Sequence, residues 1–109
     1  MTNDAIIVCC ACASREEAAR IARAVVEARL AACVNVLPEV ESIYRWQGKI
    51  ETARETLLLI KTVHWRFAEL RDCITALHSY EVPEIVAFSL SAGAENYFAW
   101  LREQVARPN

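Results

Sequence analysis

Residues that make tight turns are scarce in this sequence, which has two glycines and three prolines among 109 residues. A loop that cradles a phosphate group needs several glycines close together, so none is predicted. Long apolar runs are also missing, since a helix that spans a bilayer needs about 20 apolar residues in a row. We therefore expect long helices and strands, no phosphate-binding loop and no membrane partner.

Positive charge is not in excess either, because 12 Lys and Arg residues stand against 14 Asp and Glu residues. This balance disfavours a basic nucleic-acid-binding module. A disordered chain is excluded, since 55% of the residues are hydrophobic and 24% are charged. The length suits one folded unit, so residues 1–109 are predicted to form a single domain.

Catalytic motifs are missing as well. The sequence has neither a Gly-x-Ser-x-Gly nor a His-Glu-x-x-His motif. Its two histidines, His64 and His78, have no Ser or Asp partner at a motif spacing. We therefore expect neither enzyme activity nor an organic cofactor.

The cysteines do not form a disulfide framework. They are five in number, which is odd, and Cys9, Cys10 and Cys12 lie too close together. Free thiols are typical of a reducing compartment. The first residues include the acidic Asp4 where a signal peptide has basic residues. These features predict a cytoplasmic location, and the short N-terminal segment suggests a bacterial form.

Hydrophobic patterning predicts an α+β fold. Apolar runs indicate strands at Ala5–Cys12, Cys33–Trp46, Lys49–Val63 and Ile85–Leu90. Helical spacing indicates helices from Ser14 to Arg29 or Leu30, from His64 to Leu77, and after Gly93. The order β-α-β-β-α-β with a C-terminal helix is that of the ferredoxin-like fold.

Two of the predicted helices carry local signals. Ser14 followed by Glu17 is a capping-box pattern, which predicts where the first helix begins. In the last helix, Tyr97, Trp100 and Leu101 recur at helical spacing. We expect these three side chains to form the face that packs on the core.

The second and third strands are predicted to form an extended hairpin. Gln47 and Gly48 fit a two-residue turn, while Pro38 cannot donate to a ladder and predicts a bend or bulge. Each arm, at about 15 residues, is far longer than the usual strand of ~5–6. The tip would leave Tyr44 and Trp46 exposed on a lone domain. Uncovered edges promote aggregation, so we expect a closed oligomer.

Several sequence motifs occur in a fixed order along the chain. They are LAACVN at 30–35, SIYRWQGKIE at 42–51, KT at 61–62, HSYEVPEI at 78–85 and YFAWL at 97–101. Together they closely resemble the CutA family, the divalent-cation tolerance proteins, over residues 5 to 104. The resemblance implies a homotrimer of ferredoxin-like subunits, similar in architecture to the PII signalling proteins and linked to tolerance of copper and other divalent metals.

Cys10 and His78 are the candidate metal ligands. Strand alternation places Cys10 and Cys12 on one face and Cys9 on the other, and thiolates suit Cu(I) or Zn. The alternative is that these thiols are small buried hydrophobic groups and that His78 bonds to backbone or solvent. The resemblance implies copper binding at Cys10 and His78. Cys33, in the Ala-Ala-Cys motif, is a reserve ligand and equally a packing residue.

The match to the family's His-Pro-Tyr motif is incomplete. Ser79 stands where the family usually has proline, and Leu77 stands where copper-binding members can carry a second histidine. The resemblance therefore implies copper binding that is weaker or different from that of a two-histidine site.

A charged and aromatic group forms a second candidate site. Lys61 ends a buried strand and needs a partner, for which Glu81 or Glu84 is predicted in an ion pair at a subunit boundary. The alternative is a pocket between subunits in which Lys61 meets an anionic ligand, with Trp46 and Tyr80 as walls.

Three functions remain open at this point. The first is a cytoplasmic homotrimer that binds copper or another divalent metal and contributes to the response to metal ions. The second is a PII-like small-molecule sensor with a ligand pocket between subunits. The third is a scaffold trimer with no small ligand.

Overall fold

The computed structural model describes residues 4–107, and within that range the elements follow the predicted order. The elements are β1 (Ala5–Cys12), α1 (Arg15–Glu27), β2 (Cys33–Trp46), β3 (Lys49–Val63), a 3₁₀ turn (His64–Arg66), α2 (Phe67–Leu77), β4 (Val86–Ser89) and α3 (Glu95–Val105). Three boundaries differ from the sequence predictions: α1 ends earlier, α2 begins with a 3₁₀ turn, and β4 is two residues shorter than Ile85–Leu90.

The strands form one sheet in the order β2-β3-β1-β4, in which every pairing is antiparallel. The first strand in sequence therefore lies inside the sheet, between β3 and β4. This order is that of the ferredoxin-like fold, so the predicted α+β class is confirmed.

Helices α1 and α2 cover one face of the sheet. Alternation along β1 turns Val8, Cys10 and Cys12 toward these helices, and all three are fully buried. The helices meet them with Ile21 of α1 and Ile74 of α2, which are also fully buried. The main hydrophobic core thus lies between this face and the two helices.

Helix α1 begins and ends at identifiable signals. At its start, the Ser14 hydroxyl accepts a hydrogen bond from the Glu17 N–H at 3.1 Å, as the capping pattern predicts. At its end, the Leu30 N–H bonds to the Val25 carbonyl, and Arg29 adopts φ +60°. This is a Schellman ending with arginine in the position that glycine usually occupies, which is why the helix does not reach Arg29.

Helix α3 covers one end of the opposite face. Its buried residues are Phe98, Leu101 and Val105, which pack against Ala5 and Val63. The glycine before the helix makes this possible, because a Cβ atom built on Gly93 would lie 2.5 Å from the Phe98 ring.

The prediction that Tyr97 and Trp100 belong to the core is wrong. These residues are 38% and 43% exposed, and their rings contact each other in a tilted arrangement with centroids 5.6 Å apart. The buried stripe of α3 runs through Phe98 and Leu101 instead. Since successive residues are about 100° apart around a helix, Trp100 points well away from the direction of Leu101.

The hairpin of β2 and β3 projects from the core, as predicted. Gln47 and Gly48 at its tip have φ values of 49° and 80°, which fit a tight turn of the primed type. The pairing register shifts between Leu37 and Val40, so the bulge predicted around Pro38 is confirmed. The protomer is elongated as a result, with principal extents of 47 × 26 × 21 Å.

Within residues 4–107, no helix is both long and apolar enough to cross a lipid bilayer.

Candidate functional site

Two thiols lie side by side at the end of β1. Cys10 and Cys12 are two residues apart on the face covered by the helices, and neither is exposed to solvent. A hydrogen bond from Cys10 to Cys12, together with burial, raises the pKa of the Cys10 thiol. The same hydrogen bond lowers the pKa of Cys12, although burial acts in the opposite direction. Cys12 is therefore the thiol of the pair that ionises more readily.

His78 joins the two thiols from the end of α2. One ring nitrogen of His78 and the two Sγ atoms all lie within 4.8 Å of one another. Two sulfurs and one imidazole nitrogen form a soft donor set, which suits Cu(I) or Zn(II) better than hard cations such as Mg²⁺. The chemistry of these three residues therefore fits a thiophilic metal ion.

Both ring nitrogens of His78 already have partners in the protein. Nδ1 accepts a hydrogen bond from the Tyr80 N–H at 3.1 Å, which assigns the ring proton to Nε2. Nε2 then donates to the carbonyl oxygen of Ala11 at 2.8 Å. The imidazole must release one of these bonds before it can coordinate a metal.

Glu17 fixes the position of the loop that carries His78. Its carboxylate is buried and accepts hydrogen bonds from the Ala13 N–H at 3.2 Å and the Ser79 N–H at 2.6 Å. Burial alone would raise the pKa of this carboxyl group, but the bonds from Ser79 and Ala13 hold the pKa below its usual value. A proline at position 79 would have no N–H to donate, so Ser79 is what allows this bond.

A cleft of about 740 Å³ lies beside the group formed by Cys10, Cys12 and His78. The hairpin forms one wall and the segment 79–84 forms the other. The lining residues that carry polar or aromatic groups are Ser42, Tyr44, Trp46, Glu55, Ser79, Tyr80, Glu81 and Glu84. The Tyr80 hydroxyl crosses the cleft and donates to a carboxylate oxygen of Glu55 at 2.6 Å. Burial, followed by this bond to the negatively charged Glu55, raises the pKa of Tyr80.

The structure brings together some of the predicted site residues and separates others. Cys10 and His78 meet, and Trp46, Tyr80, Glu81 and Glu84 line one cleft. Lys61 and Cys33 lie elsewhere, paired opposite each other on neighbouring strands.

Within the protomer, Lys61 forms no ion pair with Glu81 or Glu84 among the described residues, so the pair predicted at a subunit boundary stays a prediction. The Lys61 Nζ instead lies over the Tyr97 ring, 5.9 Å from its centroid. The reason is strand alternation: Lys61 points to the sheet face that α3 partly covers, toward Tyr97.

Cys33 faces the same side of the sheet as Lys61, because Val34 beside it packs on the helix-covered core. Cys10 and Cys12 point to the opposite side. The geometry therefore separates Cys33 from Cys10 and His78, and Cys12 joins those two residues instead.

Sequence reasoning missed two acidic residues at the site. Glu17 was assigned only to the capping pattern, although its carboxylate also holds Ser79, and Glu55 was assigned no role. The capping pattern was the available signal for Glu17, since it places this side chain at the start of α1. No local signal in the sequence indicated a role for Glu55, because its partner Tyr80 is distant in sequence.

Comparison with known proteins identifies the family of this chain. The family model of the CutA1 divalent ion tolerance protein matches residues 6–104. The divalent-cation tolerance protein CutA of Thermus thermophilus is 52% identical over 90 residues, which cover 83% of this chain and 87% of that protein. The human protein CutA is 46% identical over 92 residues, covering 84% of this chain but 51% of its own length. The chain thus spans about half of the human relative.

Solved structures agree with the sequence comparison. The Thermus thermophilus divalent cation tolerance protein superposes with a TM-score of 0.92 at 47% identity, covering 94% of this chain and 99% of that one. CutA1 of Oryza sativa superposes with a TM-score of 0.93 at 36% identity, covering 98% of each chain. With a family model that spans most of the chain and relatives above 30% identity, the protein belongs to the CutA family of divalent-ion tolerance proteins.

Proposed function

We propose that this protein is a metal-binding member of the CutA family that contributes to the tolerance of copper or another divalent metal ion. Cys10, Cys12 and His78 are the proposed ligands. The observation that carries the proposal is the convergence of two buried thiols and one half-buried imidazole within 4.8 Å.

The two thiols are the principal ligands in this proposal. Their sulfur atoms are already adjacent on one strand, whereas His78 must first give up its bond to Ala11 or to the Tyr80 N–H. Two thiolates alone satisfy Cu(I), which accepts few and soft ligands, and the imidazole adds a third donor. Metal binding would release the thiol protons, since only thiolates coordinate.

The proposed assembly is a homotrimer. Two features of the protomer favour an oligomer. The first is the sheet face beyond α3, on which Phe88 and Val86 are 59% and 46% exposed. In addition, residues 49–55 of β3 pair only with β2 among residues 4–107, which leaves a strand edge available to a neighbouring subunit.

We also propose that the protein acts in the cytoplasm and is not an enzyme. Free cysteines throughout the described chain favour a reducing compartment. Compartment is not uniform among relatives, because the Archaeoglobus fulgidus structure with a TM-score of 0.91 is described as periplasmic. A fractionation experiment that finds the native protein outside the cytoplasm would contradict this part of the proposal.

Anaerobic titration of the reduced protein with Cu(I) and Zn(II), in competition with a chelator, tests the metal site. The wild type is expected to bind a single metal ion per chain. Cys10→Ala/Cys12→Ala is expected to abolish binding, and His78→Ala is expected to weaken it. Cys9→Ala is the matched control, because Cys9 is a neighbouring thiol on the opposite sheet face.

Equal uptake by the wild type and the Cys10→Ala/Cys12→Ala variant would contradict the proposed ligands. Sedimentation of both proteins at one concentration provides the second control. An unchanged trimer in the variant is expected, so that loss of metal reports on the ligands rather than on assembly. A monomer at all concentrations of the wild type would contradict the trimer.

A small-molecule sensor related to PII proteins is the second candidate function. The cleft of about 740 Å³ between the hairpin and the segment 79–84 favours it, since its size is within the range of small-ligand sites. A ligand that binds the folded state would raise the melting temperature in a concentration-dependent way. The absence of any shift across a chemically broad panel would contradict the sensor function.

A further inference from the structure

The cleft beside the hairpin is both acidic and aromatic. The side chains that give it this character are Glu55, Glu81, Glu84, Tyr44, Trp46 and Tyr80. Over the part of the chain that the structure describes, no Lys, Arg or His side chain lines the cleft. The cleft is therefore lined by three carboxylates and by no basic side chain of its own protomer among the described residues.

This charge determines which ligands the cleft favours. An anion would be repelled by all three carboxylates, and Lys61, the cation that the sequence associated with the pocket, lies over Tyr97 instead. A cation would be attracted by the same three groups. The sign of the favoured ligand is thus opposite to the one predicted from the sequence.

The aromatic rings of the cleft indicate which kind of cation it favours. On a single protomer, Tyr44 and Trp46 are 44% and 55% exposed, and both rings line the cleft. Tyr80 is held in place by its bond to Glu55. Ring faces attract ammonium groups and pack against methyl and methylene groups, whereas a small hydrated metal ion gains little from either contact.

We propose that this cleft binds an organic ammonium ion, such as a polyamine or a quaternary amine. The carboxylates of Glu81 and Glu84 interact with the charge, and Trp46 packs against the hydrocarbon part. This inference rests on the second proposed function, that the cleft holds a small molecule, and it names the ligand class. The proposed ammonium site uses none of the proposed metal ligands, since Cys10, Cys12 and His78 do not line the cleft.

Calorimetric titration of the assembled protein at low salt tests the inference, with spermidine and tetramethylammonium as cationic probes and ATP as an anionic probe. Spermidine is expected to bind and ATP is not. Glu81→Gln/Glu84→Gln is expected to weaken spermidine binding by about fivefold or more, as for two partly exposed ion pairs. The matched control, Glu16→Gln/Glu103→Gln, removes two exposed carboxylates outside the cleft and is expected to leave affinity unchanged.

A second pair of variants tests the aromatic contact with tetramethylammonium. Trp46→Leu keeps apolar bulk but removes the ring face, and it is expected to weaken binding about threefold or more. Trp65→Leu is the control, because Trp65 is exposed to a similar degree, 46%, and lies outside the cleft. Equal effects of the two variants would overturn the role of the ring.

The outcomes separate this inference from the function on which it rests. Binding of ATP without binding of spermidine would overturn the cation class and leave a small-molecule cleft standing. Binding of neither probe by the assembled protein would overturn the inference, as expected if a basic side chain of a neighbouring subunit already filled the cleft. If Glu81→Gln/Glu84→Gln and Glu16→Gln/Glu103→Gln weakened spermidine binding equally, the effect would come from general surface charge. That result would also overturn the proposed site.

Discussion

Replacement of Glu17 by glutamine is the sharpest test of how the loop carrying His78 is held. Glutamine has the same shape but only one acceptor oxygen, and its NH₂ group cannot accept from a backbone N–H. One of the two donors, Ala13 N–H or Ser79 N–H, would therefore lose its acceptor in a buried place. The carboxylate is 5% exposed, so water offers little compensation.

The expected loss of stability in Glu17→Gln follows from the two hydrogen bonds that the Glu17 carboxylate accepts. A hydrogen bond to a charged group contributes about 1.5–3 kcal/mol, and glutamine retains one of them in neutral form. The free energy of unfolding is therefore expected to fall by about 2–3 kcal/mol at pH 7. Ser79→Pro removes the donor of the shorter bond and is expected to reproduce part of this loss.

The loss of unfolding free energy in Glu17→Gln is expected to depend on pH. The pKa of Glu17 is lowered in the folded protein from the ordinary value of 4.5, so the carboxylate stabilises the fold fully above that pH. As the pH falls through the lowered pKa, the carboxyl group is protonated in the folded state and this stabilisation is lost. The gap between the wild type and Glu17→Gln should therefore be widest at neutral pH and should close in acid.

Urea denaturation from neutral to acid pH measures this gap, at one protein concentration because the stability of an oligomer depends on concentration. The matched control is Glu16→Gln, which removes the same charge from the same helical turn at an exposed position. Its expected effect is within about 0.5 kcal/mol. Equal losses for the two variants, or a gap that does not change with pH, would refute the reasoning.

Two further substitutions test the packing of the core away from the site. Thr62→Val removes a fully buried hydroxyl that donates to the Leu30 carbonyl at 2.7 Å, and it is expected to cost about 1–3 kcal/mol, whereas the exposed Thr75→Val should cost far less. Gly93→Ala is expected to cost about 1–3 kcal/mol, because its Cβ would lie 2.5 Å from the Phe98 ring. Combining it with Phe98→Leu should recover part of that loss, and purely additive losses in thermal or chemical unfolding would contradict the clash.

Local sequence signals predicted most of the fold. The strands, the hairpin turn and the bulge near Pro38 follow from hydrophobic runs, glycine and proline, which act within a few residues. The packed face of α3 could not be predicted from such local signals. Helical spacing allows more than one stripe, and only the space left at Gly93 explains why Phe98, rather than Trp100, enters the core.

The relative placement of the candidate residues could be predicted where alternation along one strand was sufficient. It placed Cys10 and Cys12 together, and the motif containing His78 supplied the third group. The contact of Lys61 with Tyr97 inside the protomer was not predicted, because a position in sequence does not reveal which sheet face a distant segment covers. The bond from Ser79 to Glu17 joins residues 62 positions apart, so no local pattern contains it.

One residue of β1 belongs to both candidate sites. Ala11 lines the cleft, and its carbonyl oxygen holds His78, while Cys10 and Cys12 on either side of it point into the core. A shift of this short stretch of backbone would alter the two sites together. Thermodynamic linkage then requires reciprocity: whatever factor an ammonium ion in the cleft imposes on metal affinity, the metal imposes on the affinity for the ammonium ion.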